Sequence, residues 1–214
     1  MSINAFLVVV WTDSPPSPDG LEDVARSRGG QVLAAGAVHE VSELDARRAP
    51  AGLVIARFGD AENARSWFAA TRDLHDGVAL MLGGATAPVW WPPEREPDRP
   101  EWSRQAEFPR DRLGQFVSVW VGEVTDLGEM LDYSVHYRWT VEEGGGVVLS
   151  PGSSPSMEVL RGEPAPLAMG LMAWPPDGQA LRAWYESATY RPYRDQRHRV
   201  SRTTNVRVLA LAAT

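Results

Sequence analysis

Cysteine and lysine are both missing from the 214 residues. Without cysteine there is no disulfide, no thiolate nucleophile, no iron–sulfur cluster and no cysteine zinc site. Without lysine, all 21 basic residues being arginines, the chain forms no Schiff base, which excludes the lysine linkage of pyridoxal phosphate. Basic excess is lacking as well: a net charge of −7 argues against nucleic acid as a partner, since that footprint is a positive surface. No apolar run approaches the roughly 20 residues of a membrane span, so no membrane is expected. The start, MSINAFLVVVWTD, has no basic lead and meets Asp13 soon after its apolar run. It reads as a buried strand rather than a secretory signal, and the cytoplasm is the expected compartment. No glycine-rich phosphate loop follows a strand, which argues against a nucleotide site. The four histidines, His39, His75, His136 and His198, stand singly with no HxH or HxxxH spacing, so no metal site assembles locally. No metal and no cofactor are expected.

What is present is an ordinary globular composition, 43% hydrophobic and 23% charged, enough to bury a core in one large domain or two smaller ones. Phe6 to Trp11 (FLVVVW) is apolar throughout, as in a strand buried on both faces. Asp19 to Arg28 reads as a short helix with Leu21, Val24 and Ala25 inward, ended by Gly29-Gly30. Gln31 to Ala35 is a second strand closed by Gly36, followed by a loop containing His39, and Leu53 to Phe58 is a third strand. Asp60 caps a helix on which Ala64, Trp67, Phe68 and Thr71 share one face. Gly77 to Leu82 and Pro88 to Trp91 offer two pieces for a fourth strand. Pro92 to Pro109, with five prolines and alternating charge, reads as an exposed linker stiffened toward polyproline geometry, Trp102 and Phe108 excepted.

The order then repeats. Phe116 to Val124 is a strand, Asp126 caps a helix to about Glu143, and Gly144 to Gly146 end it. Val147 to Leu149 and Leu167 to Trp174 are strands. A helix after Pro175-Pro176-Asp177 carries Leu181, Trp184, Tyr185 and Ala188 on one stripe, and Asn205 to Ala212 is the last strand. GGQVLAAG at Gly29 aligns with GGVVLSPG at Gly145, and ARSWF at Ala64 with LRAWY at Leu181. The expected fold is α+β: two ferredoxin-like β-α-β-β-α-β units, at 1–91 and 113–214, joined by a linker at 92–112. Each unit has helices on one sheet face only, so the units are expected to pack sheet to sheet as an intramolecular pseudo-dimer, a dimeric α+β barrel within one chain.

The residues Trp174, Ala180, Trp184-Tyr185, Ser187, Tyr190, Pro192 and Arg197 resemble the domain-of-unknown-function family 1330, of the dimeric α+β barrel superfamily. The glycine pattern from Gly29 to Val41, echoed from Gly145 to Val159, is similar to that family's second strand and following loop. The first half lacks counterparts of Tyr190 and Arg197, so a site using them should exist once. The resemblance implies pockets between the sheet and helices of each unit. The superfamily includes cofactor-free anthrone-type monooxygenases, aromatic polyketide cyclases, muconolactone-type isomerases and haem proteins, an analogy of fold and not of site.

Candidate site residues follow from placement. On the helix Leu127 to Val141, at about 100° per residue, Leu127, Met130, Ser134, Tyr137 and Val141 point inward with Tyr133 at the edge. Ser134 and Tyr137 are thus polar groups where apolar ones are expected, either satisfied core hydroxyls or pocket lining. His136, Asp132 and Trp139 point outward, Trp139 and Val135 suggesting a contact with the linker or another subunit. Trp67, Trp120, Trp174, Trp184, Tyr185 and Tyr190 supply aromatic wall or plain core. His39, at a presumptive pocket mouth, is the candidate acid–base group. Arg191, Arg194, Arg197, Arg199 and Arg202 read as a solvated face, with Arg197 singled out to hold a carboxylate or enolate oxygen. The expected catalytic residues are therefore His39, Tyr137 and Arg197. The expected substrate-binding residues are Trp67, Trp120, Tyr133, Ser134, Trp174, Trp184, Tyr185 and Tyr190. The expected activity is that of a small-molecule enzyme of specialised, polyketide-like or aromatic metabolism: a cofactor-independent cyclase, isomerase or monooxygenase on a planar oxygenated substrate. A non-catalytic ligand carrier or accessory protein is the alternative, and a haem protein a third reading. As an assembly, a monomer (pseudo-dimer) or a homodimer is expected.

Overall fold

The computed structural model describes residues 5–11, 18–40, 52–72, 78–84, 90–99, 115–150, 157–162, 168–175 and 179–210. The first half contains β1 (Ala5–Trp11), α1 (Pro18–Arg26), β2 (Gln31–Glu40), β3 (Gly52–Phe58), α2 (Ala61–Thr71) and β4 (Val78–Gly83). The second contains β5 (Gln115–Val124), α3 (Leu127–Glu143), β6 (Val147–Ser150), β7 (Met157–Arg161), β8 (Ala168–Trp174), α4 (Gln179–Glu186), α5 (Arg191–Val200) and β9 (Ser201–Ala210). A short 3-10 turn, Glu96–Asp98, lies between them.

All pairings are antiparallel, in the order β6-β8-β5-β9-β2-β3-β1-β4-β7. Within each half the first strand lies between the third and the fourth, and the second is outermost, the order of a ferredoxin-like unit. Two seams join the halves: β2 to β9, with His39 opposite Val208, and β4 to β7. The two ends of this order, β6 and β7, are consecutive in the chain, so the sheet must curl back on itself. Ser150, fully buried, donates its hydroxyl to Gly83 O at 2.7 Å and so ties the end of β6 to the end of β4.

The apolar strands are apolar because both faces are covered. Phe6 and Val8, Leu53 and Ile55, and Met169, Leu171 and Ala173 meet inside the curled sheet with Ala34 and Leu149, a core drawn from both halves. Their alternates face outward to the helices: Leu7, Val54, Ala56 and Phe58 pack with Leu21, Ala25, Ala64 and Trp67. Met172 and Trp174 pack with Tyr137, Val141, Leu181 and Trp184. Burial removes roughly 25 cal/mol per Å² of apolar surface from water, and the period of two along each strand lets one strand serve two cores.

Two helix starts agree with the sequence: Asp60 accepts from Asn63 N at 2.8 Å and Asp126 from Glu129 N at 3.0 Å, each satisfying an otherwise orphaned amide, whereas α1 begins at Pro18, ahead of Asp19, and ends at Arg26. The strand after each glycine pair depends on close approach. Gly29 and Gly145 have φ of 66° and 87°, which suits glycine, while Gly30 and Gly146 lie flat against the Phe58 and Trp174 rings.

Several boundaries differ from expectation. β2 does not stop at Gly36 but runs to Glu40, because its last residues pair with β9 of the other half. His39 is therefore in a strand, not a loop. Helix α4 ends at Glu186, leaving Ala188 outside it, and a separate helix, α5, follows where only a tyrosine and arginine run was read. Strand β7 was not foreseen; its register comes from the first half's β4. β4 is the Val78 piece, and Trp90-Trp91 are not a strand. The expected linker is not extended over 92–99. Arg95 bonds Glu143 at 2.9 Å and stacks on Trp139, beside Trp91, whose indole reaches Glu142 at 3.2 Å. Trp139 is buried by this docking. Trp102 and Phe108 lie outside the described residues.

A Cβ added at Gly146 would sit 2.8 Å from the Trp174 ring, whereas one at Gly20 in α1 meets nothing. Gly146→Ala should therefore cost about 2 kcal/mol by overpacking. Gly20→Ala should gain up to about 1 kcal/mol from helix propensity. Urea unfolding of the two variants checks both signs.

Candidate active site

All five tyrosines of the chain lie between residues 133 and 193, and the second half gathers them around one core. Helix α3 supplies Tyr133 and Tyr137 from successive turns, their rings stacked at 4.7 Å and 9°. Helix α4 supplies Trp184 and Tyr185. The turn Ser187–Tyr190 then places Tyr190: its amide is held by Ser187 Oγ at 3.0 Å, and its carbonyl starts α5 by accepting from Tyr193 and Arg194. Its ring stacks on Trp184 at 3.9 Å, and its hydroxyl lies 3.4 Å from that of Tyr133, a long and weak hydrogen bond. Strand β8 ends on Trp174, whose ring is 5.0 Å from Trp184.

Arg197 completes the cluster. It faces inward from α5 at 2% exposure, with Nη2 3.3 Å from His198 Nε2. Helix α5 is held in this register by its flank: Gln196 bonds Asp132 at 2.9 Å and Arg199 bonds Glu129 at 2.6 Å, both on α3. Of the five arginines read as a solvated face, Arg191, Arg199 and Arg202 are exposed and Arg194 is half-buried against Tyr185. Arg197 is the exception.

Burial pushes the phenols of Tyr137 and Tyr190 well above their ordinary range, Tyr133 adding to the effect and Arg197 working against it. Desolvation wins, so both are neutral donors at ordinary pH, beside a buried cation. Neutral phenols and a guanidinium are what an oxygen carrying partial or full negative charge requires.

The structure brings together Tyr133, Tyr137, Trp174, Trp184, Tyr185, Tyr190 and Arg197. Ser134 is not part of the cluster: it is half-buried and its hydroxyl is spent on Met130 O at 2.8 Å. Leu127, expected inward, is 66% exposed. The inward stripe is Met130, Tyr133, Tyr137 and Val141, rotated toward Tyr133 because α5 packs on that side. Trp67 is in the other half, fully buried, with its indole donating to Leu21 O at 3.1 Å. The backbones of His39 and Trp120 lie in β2 and β5, and their side chains lie outside the described residues. His136 and His198 sit on the outside, so neither is an axial ligand for a haem in this space. Among the described residues no group of three or more His, Asp or Glu converges as a metal site would, and no helix is long and apolar enough to cross a membrane. The signal overlooked in the sequence is the confinement of tyrosine to one half.

The sequence model of one family, described as a domain of unknown function (DUF1330), matches residues 117–211. The second half of the chain is similar to that family. The match includes every residue of the cluster. No curated protein matches the chain. Among solved structures, an anthrone oxidase-like protein is similar at 13% identity and TM-score 0.52, over 100% of this chain and 92% of its own. A candidate monooxygenase of Fusobacterium nucleatum is similar at 9% identity and TM-score 0.54, over 99% and 94%. Another, of Lactobacillus acidophilus, gives 10% and 0.50, over 97% and 93%. At these identities the likeness shows the fold, α+β with antiparallel ferredoxin-like sheets.

The raised phenols set a pH dependence. A folded-state value above the unfolded one, which is about 10 for tyrosine, contributes stability that is complete below that pH and is lost as pH rises through the folded value. Stability should fall by about 1.4 kcal/mol per pH unit for each of Tyr137 and Tyr190 above roughly pH 10. Ultraviolet titration of phenolate should leave at least two of the five tyrosines un-ionised until the fold opens.

Proposed function

We propose that the second half is a small-molecule enzyme acting on a planar, oxygenated substrate by cofactor-independent, oxygenase-type chemistry, and that the two halves are copies forming a pseudo-dimer in which the first is a scaffold. One observation carries this. With the glycine pairs aligned, Leu21 corresponds to Tyr137 and Phe58 to Trp174, and all four are buried at the same places in their cores. The scaffold positions are kept, but the second half puts hydrogen-bonding groups where the first has hydrocarbon. It then adds Tyr190, just before α5, and Arg197 within α5, a helix with no counterpart among the described residues between α2 and β4. Buried polar groups cost stability unless satisfied, so a core that needed only packing would resemble the first half.

The chemistry suits an enolate. A CH2 beside an aromatic ketone loses a proton to solvent water or hydroxide, and the resulting oxygen charge is held by Arg197 and the neutral phenols. Enolate formation is a first step shared by isomerisation, cyclisation and oxygenation. In the oxygenase case dioxygen is the oxidant: the CH2 becomes a C=O with one oxygen atom, and the other leaves as water. The anthrone oxidase-like and monooxygenase neighbours support this class through fold alone. A carrier role is the second reading, in which the same aromatic cluster binds a flat ligand without chemistry.

With anthrone under air and no added metal, flavin or nicotinamide, oxygen uptake should accompany quinone formation. Tyr190→Phe and Arg197→Lys should each lower kcat roughly 100- to 1,000-fold, the range for loss of one oxyanion donor. Phe58→Leu in the first half should lower stability and leave kcat unchanged. Tight binding with no turnover would favour the carrier, and neither binding nor turnover would sink both readings.

A further inference from the structure

The aromatic cluster is closed to solvent. Tyr133, Tyr137, Trp174, Trp184, Tyr190 and Arg197 are each at most 8% exposed, and the Trp184 ring packs on Trp174 and Tyr190. A ligand reaches these groups only if an element covering them moves, and the covering helices are not equally fixed. Helix α3 buries Met130, Tyr133, Tyr137 and Val141 and is backed by Trp91 on Trp139. Helix α4 buries Leu181 and Trp184. Of the ten residues of α5 only Arg197 and Val200 are buried, with Tyr193 partly so. One of those two is a cation, whose desolvation opposes closure and is relieved on opening. The side-chain bonds from α5 to α3 are polar and lie largely at the surface: Gln196 to Glu129 O and Asp132 at 3.2 and 2.9 Å, and Arg199 to Glu129 at 2.6 Å. Bonds of this kind hold an element weakly. Its two ends are pinned more firmly. Tyr190, just before α5, stacks on Trp184 and is held by Ser187 Oγ. At the other end Val200 O accepts from Thr125 N at 2.8 Å, where β9 starts to pair with β5.

We propose that α5 is a lid on the cluster, hinged at Tyr190 and Ser201, which opens to admit the ligand and on closing carries Arg197 onto it. Hinges of this kind are a few residues at the ends of elements, and lids are drawn from the least stable parts of a fold. The first half completes its sheet with no such helix among the described residues between α2 and β4, so opening α5 leaves the ferredoxin-like unit intact. Arg197 lies near enough to the phenols of Tyr137 and Tyr190 to act on them. Its withdrawal therefore opens the polar side of the cluster, while Trp174 and Trp184 stay packed between the sheet and α4. The inference deepens the proposed function and rests on it: the closed form shown here is the reacting form, with the cation in place and water excluded. Access to the site is then set by the bonds of Gln196 and Arg199 to α3.

The test uses the full chain. In native hydrogen exchange of the wild type, the amides of α5 should exchange at least roughly 100-fold faster than those of α3, β5 and β8, because they open locally. Gln196→Ala combined with Arg199→Ala should speed α5 exchange up to about tenfold and leave α3 unchanged, as loss of two exposed bonds implies. The chain has no cysteine, so Asp132→Cys with Gln196→Cys supplies one thiol pair across the seam between lid and α3. Joined by a short bis-maleimide, this variant should lose at least roughly tenfold in anthrone oxidation under air. The same variant capped singly with N-ethylmaleimide should keep its turnover, and far-ultraviolet dichroism verifies that both forms fold. The exchange measurement on the wild type decides the matter whether or not the thiol variant folds. If α5 is as protected as β5 and β8, or if the joined variant turns over as fast as the capped one, α5 is no lid and this inference is overturned while the site stands. If anthrone neither binds nor reacts with the folded wild type, the functional reading fails and the inference with it.

Discussion

A ferredoxin-like sheet has helices on one face only, and the other face is apolar. Covering that bare face is the constraint on which the rest of this structure depends. Phe6, Val8, Leu53 and Ile55 from one half bury theirs against Met169, Leu171 and Ala173 from the other. Neither set has anywhere else to go without leaving a large apolar surface in water. The seams follow from the same need. Where β2 meets β9 and β4 meets β7, strand edges that would otherwise be open to association are paired. The ion pair of Arg65 with Glu158 at 2.6 Å, whose hydrogen bond holds the Glu158 carboxyl below its usual range, sits beside the second seam. It is exposed, so it orients the seam more than it stabilises it.

With the inner face committed to holding the halves together, the outer faces are where the halves differ. The first half fills its sheet–helix space with hydrocarbon around Trp67 and satisfies that indole from its own backbone. The second fills the same space with tyrosines, two further tryptophan-class contacts and a buried guanidinium. It secures this costlier interior from outside. The strap at 90–99 covers the back of α3 through Trp91, Arg95 and Trp139, and α5 is fastened to α3 through Gln196 and Arg199. Both supports act on the helix that carries Tyr133 and Tyr137. The aromatic geometry is thus backed by packing on each side.

Local signals were legible in the sequence. FLVVVW and LVIARF are strands because both of their faces are buried, Asp60 and Asp126 cap helices because their side chains reach amides three residues on, and the paired glycines mark turns that need a positive φ. The inward placement of Trp184 on its helix and of Tyr137 on α3 was likewise readable from spacing, whereas Trp174 and Tyr190 were singled out by the family resemblance. Non-local features were not. The extension of β2 through His39 and the existence of β7 depend on partner strands far away in the chain, and nothing in VHE or MEVLR states where those partners are. Ser134 was misplaced because a helical wheel fixes angles between residues but not the direction of the core.

What the sequence determined by itself was the apolar strands, the capped starts of two helices and the absence of lysine and cysteine chemistry, since each is a property of residues near one another or of the whole composition. What only the tertiary structure decided was which arginine is buried. Arg197 belongs to a run that looks solvated, and by charge and spacing it is one of five equals. It is buried because α5, packed on α3, turns that single position inward, where the phenols of Tyr137 and Tyr190 are close enough to feel its charge.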